Sequence, residues 1–128
     1  LAQYWARRKE CEICIIDMGK GFRKSYLDAG IDVKDDSDAL KKAINGVSSK
    51  KEENRRGTGI PTSTNLLSEG MNGEVMIFSG NAILHASKEV NEESYVIYTT
   101  SNYSWKGSIV MLTFRVPSRP VDIFKYIK

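Results

Sequence analysis

Long apolar runs are what this sequence most plainly lacks. No stretch approaches the roughly 18 consecutive apolar residues that a bilayer-spanning helix needs, so no membrane span is expected. The opening Leu1-Ala2-Gln3-Tyr4-Trp5 runs at once into Arg7, Arg8 and Lys9. With no apolar segment after those charges, it does not read as a secretory leader, and the expected compartment is cytoplasmic. Histidine occurs once, at His85, and cysteine twice, at Cys11 and Cys14. A structural zinc site wants four ligands. The C-x-x-C pair lies in a strand-like stretch, where positions three apart face opposite sides. Both cysteines therefore read as small apolar strand residues, and no metal ligand is expected in the chain. His85 lies in Ile83-Leu84-His85-Ala86, also a strand, and is expected to be structural. Charge of one sign is scarce too. A formal net charge of +3 is too small for the concentrated Lys/Arg face of a nucleic-acid module, so neither nucleic acid nor a membrane is an expected partner.

What is present is enough for one domain. The chain has 128 residues, of which 41% are hydrophobic and 27% charged, the ordinary balance of a globular core with a solvated surface. It starts at Leu1 rather than Met and enters strand-like sequence directly, so a piece of a longer protein is expected.

The pattern predicts strands over Ala2 to Arg8 and Glu10 to Asp17, with Cys11, Ile13 and Ile15 on one face. A Gly-punctuated loop, Asp17 to Phe22, leads to a short helix from Arg23 to Ala29, stopped at Gly30. Asp35, Asp36 or Ser37 can cap a second helix whose apolar face is Ala39, Leu40, Ala43 and Ile44. Val47 to Arg56 has no apolar anchor beyond its start and reads as a mobile loop. Gly57 to Gly59 opens a third helix, with Pro61 in its first turn and Ile60, Thr64 and Leu67 at near-helical spacing. Four strands follow: Glu74 to Ser79, Ala82 to Ala86, Tyr95 to Thr99 and Ser108 to Val116. Gly80-Asn81 is the tight turn between the first two. Val121 to Lys128 is an amphipathic tail. Helices in one block beside a largely antiparallel sheet give an α+β two-layer sandwich with the helices on one face.

Two glycine motifs carry the chemistry. Asp17-x-Gly19-x-Gly21 places a carboxylate at a strand end, where it needs a donor, and an exocyclic amino group is one. The glycines let the backbone turn sharply and let a flat ligand come close. The alternative is a turn in which Asp17 bonds the backbone at Gly19. Gly57-Thr58-Gly59 opens a helix, whose free N–H groups and dipole favour an anion. Lys50, Lys51, Arg55 and Arg56 stand just before it.

In this order the motifs resemble the Bergerat-fold ATPases shared by sensor histidine kinases, gyrase B subunits, mismatch-repair ATPases and the large heat-shock chaperone. Asp17, Gly19 and Gly21 match that family's D-x-G-x-G box. Gly57 and Gly59 match its G-x-G. Gly107-Ser108 stands where the family's closing strand begins, near the adenine. The resemblance covers Ala2 to Val116, so residues 1–116 are expected to form a partial ATP-binding domain and 117–128 a tail. It implies that Asp17 holds the adenine amino group and that Gly21 lets the ring lie flat. It also implies that the backbone at Gly57, Thr58 and Gly59 holds phosphates, and that a lid runs from about Asp32 to Arg56 with Lys50 or Lys51 reaching a phosphate. The cofactors implied are ATP and Mg²⁺.

The resemblance is incomplete. The family's N box lies on a helix before the two strands that open this chain. It supplies the Asn that holds Mg²⁺ and, in hydrolysing members, the Glu that activates water. Both are expected upstream of Leu1, so no catalytic residue is expected within these residues. The partners implied are a nucleotide and, beyond it, other domains of a parent protein or a second copy. The alternative reading is a protein-interaction domain of the same fold that has lost nucleotide chemistry.

Overall fold

The computed structural model describes residues 1–50, 59–88 and 94–127. The strand formed last in the chain organises it. β6 (Trp105–Arg115) lies inside a six-stranded sheet of order β1-β2-β6-β3-β4-β5, in which every neighbouring pair is antiparallel. β1 is Ala2–Trp5, β2 Glu10–Asp17, β3 Glu74–Gly80, β4 Ala82–Ser87 and β5 Tyr95–Thr99. On one side β6 pairs with β2, from Glu10↔Arg115 to Asp17↔Ser108. On the other it pairs with β3, from Glu74↔Thr113 to Phe78↔Ile109, and the register shifts after Phe78.

Alternation sorts the side chains by face. Val75 and Ile77 of β3 lie opposite Ala86 and Leu84 of β4, and all four are buried. Leu40 and Ile44 from α2 (Asp36–Ile44) complete that core with Leu67, and Phe22, Ile60, Val110 and Leu112 pack against it. A smaller cluster joins Tyr26 of α1 (Gly21–Asp28) to Val33 and Ala39. The third helix, α3 (Gly59–Asn65), runs on into a π turn over Leu66–Gly70. The result is α+β, with an antiparallel sheet and three helices among the described residues. None of those helices is long and apolar enough to cross a membrane.

Local chemistry explains the helix ends. The Asp35 carboxylate accepts the Asp38 N–H at 2.7 Å and so caps α2, whose first turn carries Asp36 and Asp38 and whose last carries Lys41 and Lys42. Both α1 and α2 close with a glycine at positive φ. The N–H of Gly30 reaches the Leu27 carbonyl and that of Ile31 the Tyr26 carbonyl; Gly46 and Val47 do the same to Ala43 and Lys42. These are two Schellman closures.

Several expected boundaries move. The first strand stops at Trp5, because a turn with Lys9 at φ 51° takes up the following residues. α1 begins at Gly21, two residues before the expected start. The closing strand begins at Trp105, not Ser108. The tail forms a 3₁₀ turn over Ile123–Tyr126, capped by Asp122. The segment that the family resemblance assigns to a lid is, over Asp36–Ile44, a helix with four buried residues, fixed to the sheet. Cys11 and Cys14 are free thiols on β2, paired with Phe114 and Met111 and so on opposite faces.

Among the described residues, one buried side-chain group, the Thr64 hydroxyl, has no hydrogen-bond partner. Leaving such a group dry costs about 1–3 kcal/mol. Thr64→Val keeps the shape and removes the hydroxyl, so it is expected to raise stability by about 1 kcal/mol in urea unfolding. Leu40→Ala, at a fully buried position, is expected to lose about 2–5 kcal/mol. A destabilised Thr64→Val protein would mean that the hydroxyl has a partner after all.

Candidate functional site

At the end of β2 the chain makes a close approach. Gly107 of β6 lies so tightly on the Asp17 carbonyl that a Cβ there would collide with the carbonyl oxygen. Its φ of +104° is outside the range that L side chains adopt readily. Across this contact the Trp105 indole N–H donates to the Asp17 carbonyl at 3.4 Å. Ser79, buried at the end of β3, ties the assembly together: its hydroxyl donates to the Gly107 carbonyl at 2.7 Å and accepts the Phe22 N–H at 3.2 Å. Gly21, at φ +75°, fits between them. A Cβ on it would stand 2.9 Å from Ser79 Oγ and 3.0 Å from the Gly107 carbonyl oxygen. The first glycine motif is thus clamped to the sheet by residues from two other strands.

The Asp17 carboxylate is exposed and already has two donors. Oδ1 accepts the Gly19 N–H at 2.6 Å, and Oδ2 accepts the Ser108 hydroxyl at 3.4 Å. The turn alternative weighed from the sequence is therefore the geometry present. Each carboxylate oxygen has a second lone pair, so the turn leaves acceptor capacity for a ligand amino group.

Asp17 and Ser108 form one end of a cavity of about 470 Å³, within the usual range for small-molecule sites. Gly21 and Phe22 from α1, Lys50 beyond α2 and Gly59 at the start of α3 complete its outline. Five of the sequence-predicted site residues (Asp17, Gly21, Lys50, Gly59 and Ser108) therefore border one space, although they come from four separate parts of the chain. Gly19 is not among the lining residues; its role is the turn at Asp17. Gly57 and Thr58 lie outside the described residues, as do Lys51, Arg55 and Arg56.

Two interactions set the side walls. Burial pushes the Tyr26 phenol above its ordinary pKa, and its hydroxyl donates to the Val47 carbonyl at 2.6 Å, joining α1 to the end of α2. Lys20, beside the cavity, is held by Asp28 at 2.7 Å, and Lys24 reaches the same carboxylate at 3.1 Å. The hydrogen bond from Lys20, then that from Lys24, lowers the Asp28 pKa below the ordinary carboxylate value. A lowered carboxylate pKa makes this pairing favourable at neutral pH; it is lost as pH falls through the folded-state value. Among the described residues no group of three or more His, Cys, Asp or Glu is placed to hold a metal ion. His85 sits on β4 with its Nε2 3.1 Å from Glu74 Oε2, remote from Asp17 in the sheet register.

Sequence reasoning found the glycines and Asp17 but missed Ser79 and the buried contact of Gly107. A serine at a strand end carries no motif. The expectation for Gly107 rested on its neighbour Ser108, while the positive φ that demands glycine emerges only once β6 lies beside β2.

Ser79→Ala removes one donor and one acceptor. It is expected to cost about 1–3 kcal/mol and to speed hydrogen exchange at the Phe22 amide. Gly107→Ala forces both a left-handed alanine and a backbone collision, and is expected to cost roughly 3 kcal/mol or more. Unchanged Phe22 exchange in Ser79→Ala would remove Ser79 from this role.

No family model, no curated protein and no solved structure matches this chain.

Proposed function

We propose that this chain is the adenine-facing part of an ATP-binding domain of the histidine-kinase/gyrase type, with the Bergerat arrangement of sheet and helices. The observation that carries the reading is convergence: Asp17, Gly21, Lys50, Gly59 and Ser108 border a single cavity. In this reading the Asp17 carboxylate accepts the adenine amino group. Gly21 gives the ring a flat approach, because nothing larger fits beneath Ser79 and Gly107. Gly57, Thr58 and Gly59 hold the phosphates through their backbone, and the Lys50 ammonium is the nearby cation that neutralises them. ATP supplies the γ-phosphoryl group; the residues here orient and bind, and no transfer or hydrolysis is assigned to them.

A bare strip on the sheet bears on two readings. Ile15 of β2 lies on the same face as Ile13 and Asp17, the face that the helices cover farther along the sheet. Ile15 is 55% exposed, and Tyr4, which shares the face through its pairing with Cys11, is equally so. An N-box helix supplied from outside these residues would cover that strip and bring the Mg²⁺ ligand. The strip equally suits the second reading, an interaction domain of this fold without nucleotide chemistry, in which a partner covers Ile15 and Tyr4.

Calorimetry with a non-hydrolysable ATP analogue separates the two. Saturable heat that falls at least about tenfold in affinity with Asp17→Asn is expected, since the lost acceptor serves a buried amino group. Absence of heat, together with partner binding that Ile15→Ser abolishes, would favour the interaction domain.

A further inference from the structure

The end of the sheet remote from Asp17 holds a second cleft, of about 430 Å³, between the C-terminal tail and the turn after Leu66–Gly70. Four cationic side chains line it: Lys88 from the end of β4, Arg115 from the end of β6, and Arg119 and Lys125 from the tail. Glu69 and Asp122 are its two carboxylates. Asp122 Oδ1 accepts the Phe124 N–H at 3.1 Å and caps the 3₁₀ turn, and its carboxylate keeps its charge. Arg115 is ion-paired with Glu10, its Nε 3.8 Å from Glu10 Oε2. Lys88, Arg119 and Lys125 have no carboxylate within ion-pair distance among the described residues. Among the described residues the cleft thus brings together four cations and two carboxylates.

The wall that carries these cations is preorganised. Pro117 and Pro120 fix their own φ angles, and Pro120 holds Arg119 before it away from helical backbone. The segment between them bends at Ser118 and Arg119 and returns the tail toward the helices. Tyr126 then lies directly on the Gly70 backbone, where a Cβ would stand 3.0 Å from its ring.

We propose that this cleft is a binding site for a compact phosphate-bearing polyanion, of the diphosphate or small phosphate-ester class. Arginine at 115 and 119 suits bidentate contact with phosphate oxygens, and the two lysines add point charges. Ser118 lines the same space and offers a hydroxyl donor. The volume suits a small ligand rather than an extended polymer. Because the cations are largely exposed, binding weakens as salt is added. The site is independent of the nucleotide reading above, being built from other residues at the opposite end of the sheet.

The test is a titration of the ¹⁵N-labelled full chain with sodium pyrophosphate at fixed ionic strength and pH. Saturable shifts at Ser118, Arg119 and Lys125 are expected. The double variant Arg119→Ala/Lys125→Ala, with its thermal melt unchanged, is expected to weaken binding about tenfold or more. Shifts confined to Phe22, Ser25 and Lys50 would assign the anion to the other cavity and overturn the proposal. So would affinity within about twofold of the parent in the double variant. A single-stranded oligonucleotide that moves the same amides together with Arg7, Arg8 and Lys9, at lower phosphate concentration than pyrophosphate, would also overturn it in favour of a nucleic-acid strip.

Discussion

The contact between Gly107 and the Asp17 carbonyl is the constraint on which the rest of the site depends. It is possible only without a side chain at 107, and it fixes where β2 ends relative to β6. Ser79 extends it to α1 by accepting the Phe22 N–H while donating to Gly107. The direction of the Asp17 carboxylate and the position of the first turn of α1 follow from that one junction. The cavity begins beside it, at Asp17 and Ser108. Binding groups held by backbone geometry lose little entropy when a ligand arrives.

What the sequence made legible was local. The apolar face Ala39, Leu40, Ala43 and Ile44 was readable because a helix repeats every 3.6 residues, and all four residues are buried. Gly80-Asn81 announced its hairpin, and Asp35 was among three residues able to cap α2. What stayed hidden was distant in the chain. β6 enters between β2 and β3, and nothing in Ile109-Val110-Met111-Leu112 states which strands it will separate. The start of α1 was read late because Gly21 and Phe22 look like loop residues until Ser79 satisfies the Phe22 N–H. In the site, Asp17 and the glycines were visible as a motif. Ser79 was not, since its role comes from two hydrogen bonds that span other strands.

The two ends of the sheet differ in chemistry. At one, a carboxylate and a serine hydroxyl face a partly apolar cavity bordered by Phe22 and Ile60. At the other, arginines and lysines gather around a bend set by prolines, an environment for charge. Between them the core of Leu40, Ile77 and Leu84 is fully buried and makes the spacing rigid. The unshielded Ile15 and Tyr4 at the β1–β2 side mark where the covering layer stops.

Adenosine, which has no phosphate, isolates the central claim that the Asp17 end of the cavity recognises a purine edge. Titrated into the ¹⁵N-labelled chain, it should give saturable shifts at Gly19, Gly21, Phe22 and Ser108, and these should vanish in Asp17→Asn. Shifts of equal size in Asp17→Asn, or none at these four amides at saturating adenosine, would contradict the account.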